Sequence, residues 1–379
     1  MSDRNIQLAH KAGILERTKR IVVKVGSSVL SDGDGVHAPR ISQLATTLSA
    51  LPQAEVVLVT SGAVAAGMGV LNMKQRPRTI PAKQAAAAIG QITLMALYEK
   101  CFSQHAIRVA QILLTHDDLA NRRRYLNAKH TLLTLIESGV VPIVNENDTV
   151  AVEEIQFGDN DNLSAQVAVL VEADLLIILS DVAGLYETDP RLDRQAKRIA
   201  LVEQFDAQLM QRCGVAGPLG RGGMTSKIEA AQKAALSGIP SLLIDGRSNA
   251  ELGAAFDPQR EVGTLFLPVS DRIASRKHWI AYTLKPAGSL RLDAGAAAAI
   301  RRDGRSLLPA GVREIYGSFE EGDCVTCLDE SGDEFARGLV NYGAAALRQI
   351  QGVHTSQIEQ TLGYKVSDEV IHRDDLALL

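Results

Sequence analysis

Two lysines stand where ordinary folding rules would not put them without a reason. Lys24 interrupts an otherwise apolar run, Arg20–Val25, and is followed by Gly26-Ser27-Ser28. A lysine inside a buried strand is costly unless it meets an anion, and Gly26 lets backbone N–H groups approach a phosphate closely. An edge-strand lysine pointing to water is the alternative. Lys227 ends a run, Gly214–Lys227, that carries Gly214, Gly217, Gly220, Gly222 and Gly223 and leads into an Ala-rich helical segment, Ile228–Leu236. Loop amides, a helix N-terminus and a lysine together suit a phosphate group. The run is not a P-loop, because GxxxxGK[ST] has no match in the chain, and no GxGxxG follows a strand, which argues against a dinucleotide site.

Between the two lysines, three polar clusters crowd into the fifty residues from Val141 to Pro190. Asn145-Glu146-Asn147-Asp148 follows the apolar run Val141–Val144, and Ser180-Asp181 follows Leu175–Leu179. Gly158-Asp159-Asn160-Asp161-Asn162 precedes a helical segment, Leu163–Val171. Each cluster alone could be a turn or an N-cap. Together they fall where open α/β sheets hold ligands, outside the carboxyl ends of the strands. Ser61, just beyond a strand over Glu55–Val59 and followed by Gly62 and small residues, could hydrogen-bond a carboxylate or cap a helix.

The elements needed to carry these groups read as alternating strands and helices, the pattern of an α/β fold with a parallel sheet. Strands fall at Arg20–Val25, Glu55–Val59, Val109–Leu114, Val141–Val144, Leu175–Leu179 and Ser241–Ile244, with helices at Ile41–Ala50, Ile80–His105 and Arg122–Leu135. The long helix begins with Pro81 in its first turn, and its Met, Leu and Tyr positions read as core. Arg122-Arg123-Arg124 reads as a solvated face. Alternation stops at Gly263–Ser275, after which short strand-like runs between glycine turns point to a small β-rich second domain over 276–363. The expected division is an extension over 1–19 with no assigned role, a first domain over 20–262, a linker over 263–275, the second domain, and a tail over 364–379.

Composition narrows the function classes. The 379 residues are 46% hydrophobic and only 4% aromatic, which suits an Ala/Val/Leu/Ile-packed α/β protein. A net charge of −4 offers no global attraction to nucleic acid or anionic lipid. Cys101, Cys213, Cys324 and Cys327 are too few for a disulfide framework. Cys324-Val-Thr-Cys327 lacks a second pair at zinc spacing, so no protein metal-ligand set is expected. No segment has signal-peptide or membrane-span character, and the sequence predicts a soluble, cytoplasmic protein.

The assembled stretches IVVKVGSSVL, VTSGAVAAG, KQAAAAIGQ, VPIVNENDTV, FGDNDNLSA, LSDVAGLY-x-x-DPR and GRGGMTSK-x-x-AA resemble the glutamate 5-kinases of the amino-acid kinase superfamily. The resemblance runs over nearly all of the chain beyond residue 19. SLLPAGV and FARGLVNYGAAAL are similar to pieces of a PUA domain, a small pseudo-barrel. The resemblance implies a three-layer sandwich with a mainly parallel central sheet. It implies ATP-dependent phosphorylation of the γ-carboxylate of L-glutamate, the first step of proline biosynthesis. Carried over by motif, Lys24 and Lys227 hold the transferring phosphoryl group and Asp161 orients both lysines. Ser61, Asp148 and Asn160 bind glutamate, with Asp148 suited to its α-amino group. Ser180, Asp181 and the stretch Arg221, Gly222, Gly223, Met224, Thr225, Ser226 and Lys227 line the ATP site, with Lys24 reaching it too. Arg221 departs from the small or hydroxyl residue common there.

The implied chemistry is self-consistent. The acceptor carboxylate is already ionised at neutral pH, so no general base is required. Two lysines and Mg²⁺ neutralise the charge of a loose in-line transfer. The resemblance further implies proline as feedback inhibitor, a homo-oligomer, and hand-off of the product to glutamyl phosphate reductase. Kinases of acetylglutamate, aspartate, carbamate and uridylate share the phosphate end, but the NEND and GDNDN clusters and the second domain favour glutamate. An RNA-binding protein is the reading from another class. From Ser275 to Gly363 there are 10 Lys/Arg against 11 Asp/Glu, a net of −1, which disfavours nucleic acid.

Overall fold

The computed structural model describes residues 3–31, 35–51, 54–151, 159–188, 190, 192–193, 195–205, 209, 223–269, 277, 280–281 and 284–379. Its chain forms two compact units, one of Met1–Ala120 with Asn127–Val269, the other of Ser270–Leu379 with Asn121–Leu126.

The first unit is built on an eight-stranded sheet. Its strands are β1 (Arg20–Val25), β2 (Glu55–Thr60), β3 (Arg108–Leu114), β4 (Val140–Glu146), β5 (Leu175–Ser180), β8 (Leu201–Val202), β9 (Ser241–Asp245) and β10 (Thr264–Phe266), in the order β3-β4-β2-β1-β5-β9-β10-β8. A separate short hairpin joins β6 (Leu185–Tyr186) to β7 (Arg198–Ile199). Every pairing in the large sheet is parallel except β9 with β10. The central strands β1 and β5 are buried almost throughout, as strands covered on both faces must be, which explains the Leu/Ile run of β5 and the Ile/Val run of β1 that Lys24 interrupts. The strand order reverses between β1 and its neighbours β2 and β5, so the crevice at their carboxyl ends lies at a topological switch point.

Two helices that flank the crevice pack with almost no space between them. These are α4 (Ala63–Val70) and α5 (Ile80–Ser103). A Cβ at Gly67 would lie 1.8 Å from the Ala86 carbonyl oxygen, and one at Gly90 would lie 1.9 Å from that of Ala63. Glycine at both positions is what lets the backbones touch. Gly62, the residue before α4, has φ +102, a left-handed conformation that L side chains resist.

Three expected boundaries move. The first residues are not a free extension: α1 (Asp3–Arg17) is anchored by two buried polar side chains. Gln7 Nε2 donates to the carbonyls of Ala200 (2.8 Å), Val262 (3.0 Å) and Gly263 (3.2 Å). Lys11 Nζ donates to those of Ala254, Asp257 and Arg260 at 2.5–2.8 Å. The expected linker begins inside the first unit, because β10 closes the sheet against β9 and β8. The expected tail carries β15 (Leu376–Leu378), which pairs with β14 (Glu334–Leu339) of the second unit.

The second unit is a five-stranded mixed sheet ordered β12-β11-β13-β14-β15, with β11 (Gly288–Leu292), β12 (Val312–Gly317) and β13 (Cys324–Leu328). It has its own core around Leu290, Val325, Leu347 and Ile371. Cys324 and Cys327 are both buried in β13 and both unbridged, and burial pushes the Cys327 thiol up to about 12, so the pair is packing and not redox chemistry. Among the described residues no group of three or more His, Cys, Asp or Glu could hold a metal, and no helix is long and apolar enough to cross a membrane.

Candidate active site

A cleft of about 610 Å³ opens at the carboxyl ends of β1, β2, β4 and β5. It is lined by Lys24, Ser61, Asp148, Asn160, Asp161, Asp181, Gly223 and Lys227, eight of the residues singled out in the sequence. Arg221 and Gly222 lie outside the described residues, as do Cys213 and most of the glycine-rich run.

The cleft is organised around one carboxylate. Asp161 sits in the first turn of α8 (Asp159–Leu170), where the helix dipole favours negative charge. The Asn/Asp-rich cluster is therefore helix from Asp159 onward, not a loop before it. Asp161 is 1% exposed; its Oδ1 contacts the Lys24 ammonium and its Oδ2 lies 3.3 Å from Lys227 Nζ. Ser226 Oγ donates to the same Oδ2 at 2.6 Å. Burial pushes the Asp161 carboxyl up, but Lys24, Lys227 and the hydrogen bonds from Lys24 and Ser226 outweigh it and hold the group below the usual carboxylate range. Lys24, 4% exposed in the centre of the sheet, is lowered from its ordinary value, first by burial and then by the like charge of Lys227, with Asp161 opposing. Two ammonium groups sharing one carboxylate leave the core of the cleft one positive charge in excess. The lysine is no edge residue reaching for water.

Lys227 comes from the first turn of α9 (Met224–Leu236), where it also donates to the Gly223 carbonyl at 2.6 Å. Met224, Thr225 and Ser226 share that turn without lining the cleft; Ser226 acts on Asp161. Ser180 is buried at the end of β5 and donates to Asp181 Oδ1 at 3.2 Å, leaving Asp181 as the exposed member of the pair. Arg247 ties the neighbouring strand ends together, donating to the Asp181 carbonyl (2.5 Å) and the Asp245 carboxylate (3.0 Å). Gly26 contributes differently from expectation. Its own N–H is spent on the Leu179 carbonyl at 3.2 Å, so the residues presented there are Ser27 and Ser28, opening the short helix α2 (Ser27–Leu30).

At the opposite end, a relay of buried amides holds Asn160. Its Nδ2 donates to the Thr60 carbonyl (2.7 Å), Ser61 Oγ (3.0 Å) and Asn145 Oδ1 (3.0 Å). Asn145 Nδ2 in turn donates to Gln91 Oε1 at 2.8 Å, and Thr60 Oγ1 pairs with Tyr98 OH at 2.8 Å. With the amide nitrogen fixed on three acceptors, Asn160 Oδ1 is left buried at the cleft without a hydrogen-bond partner among the described residues. A buried acceptor in that state is costly unless a ligand supplies the donor. Gln91 lies in the long helix, whose sequence reading assigns it no role. Only its place in KQAAAAIGQ, one turn beyond the small residues that meet α4, hints at a role. Arg76, Lys83 and Glu146 also line the cleft; Glu146 belongs to the NEND cluster and Lys83 opens KQAAAAIGQ, whereas Arg76 carries no sequence signal of its own.

Comparison with known proteins follows the two units. The amino acid kinase family matches residues 19–245 and the PUA domain matches 288–362. The glutamate 5-kinase of Citrifermentans bemidjiense is 49% identical over 370 residues, covering 97% of this chain and 99% of the relative. That of Geobacter sulfurreducens is 49% identical over 373 residues, covering 97% and 100%. That of a Thermoanaerobacter species is 49% identical over 366 residues, covering 95% and 98%.

Proposed function

We propose how this chain, which belongs to the amino acid kinase family and within it to the glutamate 5-kinases, carries out the transfer that membership assigns to it. It phosphorylates the γ-carboxylate of L-glutamate with ATP, giving L-glutamyl 5-phosphate and ADP, the first step of proline biosynthesis. A γ-carboxylate oxygen forms the new bond to the terminal phosphorus as the bond to the bridging oxygen breaks. The acceptor is ionised already, so no proton has to leave it.

The catalytic task is to bring anions together and spread the charge of a loose in-line transfer. Lys24 and Lys227 carry it from opposite sides, held by Asp161. The observation that supports this most is that both lysines converge on that single, almost fully buried carboxylate at the switch point. Ser61, Asp148 and the open acceptor Oδ1 of Asn160 take the amino-acid end, the last two suiting its ammonium. Asp181, Gly223 and the first turn of α9, with Arg221 and Gly222 before it, take the nucleotide.

Mg²⁺ supplies charge neutralisation on the nucleotide phosphates. The described residues hold no cluster of three metal-ligating side chains, which fits an ion carried mostly by phosphates and water with one or two carboxylates, Asp181 being the exposed one at the cleft. The same reading includes a cytoplasmic homo-oligomer inhibited by proline at or over the glutamate site. The labile acyl phosphate is passed to glutamyl phosphate reductase.

The test is ATP turnover with Mg²⁺ on L-glutamate, N-acetylglutamate, L-aspartate, carbamate and UMP, trapping acyl phosphate with hydroxylamine. Hydroxamate from L-glutamate alone is expected. Turnover of another member of the panel in its place overturns the glutamate assignment.

A further inference from the structure

The cleft contains a cation that the phosphoryl chemistry does not use. Lys83 lies in the first turns of α5, half-buried, and lines the same cleft as Asp161. Lys24 and Lys227 are paired with Asp161, whereas the Lys83 ammonium has no hydrogen-bond or ion-pair partner among the described residues. Its end of the cleft is fixed by two contacts. Gln84 Nε2 donates to the Ala151 carbonyl at 3.1 Å, which draws the start of α5 against the Asn147–Ala151 turn that carries Asp148. The glycine contacts at Gly67 and Gly90 press α5 against α4, the helix that follows Ser61. Lys83 therefore lines the cleft from the side of α4 and the Asp148 turn, as Ser61 and Asp148 do.

Charge counting gives this lysine a ligand. L-Glutamate carries two carboxylates and one ammonium at neutral pH. Its γ-carboxylate goes to Lys24 and Lys227, and its ammonium is matched by Asp148 and the partnerless Oδ1 of Asn160. One carboxylate remains. We infer that Lys83 binds the α-carboxylate of the acceptor amino acid and sets specificity for a substrate with a free α-carboxylate. The inference rests on the glutamate assignment above.

Replacing the ammonium by an unbranched apolar chain one atom shorter isolates this role. Lys83→Met should raise the KM for L-glutamate roughly 10- to 100-fold, the scale of one charge-assisted hydrogen bond. It should leave kcat and the KM for ATP within about threefold and the melting temperature unchanged. Lys83→Arg should recover most of the affinity. The second readout is discrimination against L-isoglutamine, in which the α-carboxylate is an amide but the γ-carboxylate is intact. The unsubstituted protein should prefer L-glutamate strongly, and Lys83→Met should lose most of that preference. Undiminished discrimination in Lys83→Met, or an unchanged KM, overturns the inference while leaving the glutamate assignment standing. Failure of the unsubstituted protein to turn over L-glutamate removes both, and the two failures are distinguishable.

Discussion

Asp161→Asn is the perturbation that asks most of the cleft. The side chain keeps its shape and loses its charge, leaving Lys24 and Lys227 facing an amide. Both members of the inner pair are almost fully buried, at 4% and 1% exposure, so water does little to screen the loss. Breaking a buried ion pair from one side costs about 3–5 kcal/mol, because the remaining charge stays behind unpaired. The chemical step should slow by about 10²–10³, the scale of losing one preorganised electrostatic group. Lys24 would no longer be held charged or in place.

The stability loss should itself depend on pH. Lys24 is already lowered by burial and by Lys227, with Asp161 opposing. Removing that opposition drops its folded-state pKa further below the unfolded value of 10.5. Between those two values the unfolded chain binds the proton and the folded chain does not, so the stability of the variant rises with pH across that window. The wild type keeps Asp161 ionised through the same range, since its carboxyl is held low. Lys24 of the wild type is lowered too, but less than in the variant, so the gap closes over the range between the two folded-state values and should be smaller at about pH 9.5 than near neutrality. Urea denaturation at both pH values, followed by far-UV circular dichroism, measures the gap, and a coupled ADP assay measures kcat. A gap of the same size at both pH values, or a kcat within about threefold of wild type, would refute the reasoning.

Two further substitutions test the framework that positions the site. Gly90→Ala places a methyl group 1.9 Å from the Ala63 carbonyl and 2.2 Å from the Gly67 nitrogen, so α4 must move off α5. It should cost about 3 kcal/mol or more in denaturant unfolding and raise the glutamate KM through Ser61; an unchanged midpoint would mean that the helices do not touch. Lys11→Met leaves the carbonyls of Ala254, Asp257 and Arg260 without their donor and should cost about 2–4 kcal/mol. Its kcat and KM should be unaltered in the folded protein, and a kinetic change without a stability change would show that α1 does something other than anchor.

Much of this was legible in the sequence because the signals were of kinds that patterns carry. Short apolar runs marked β4 and β5 as doubly covered strands, and the lysine interrupting the apolar run of β1 demanded an anion. Other features hid behind the same rules. A helix as polar as α1 shows no apolar stripe, so its burial through Gln7 and Lys11 leaves no periodic trace. β10 has only three residues and runs antiparallel to β9, so it resembles the end of a domain more than the closing of its sheet. Asn160-Asp161 reads as turn because Asn and Asp are poor helix formers, yet here they open α8, where Asp161 is held by Lys24, Lys227 and Ser226 and Asn160 by Thr60, Ser61 and Asn145.

Lys83 shows why the remaining part was illegible. A lysine among alanines near the start of a helix looks like any solvated lysine. It gains meaning only once Gly67, Gly90 and Gln84 have brought α5 to the cleft. The two walls then divide the work. The inner wall, from β1, α8 and α9, holds two lysines on one carboxylate and suits any transferring phosphoryl group. The outer wall, from α4, α5, the turn after β4 and Asn160 at the start of α8, holds a cation without a partner among the described residues, a carboxylate and an open amide oxygen, which match the α-carboxylate and the ammonium left to the amino acid once its γ-carboxylate is committed to the inner wall. Changes on the outer wall should therefore alter which acceptor is chosen and leave the rate of transfer largely intact, whereas changes at Asp161 should do the reverse.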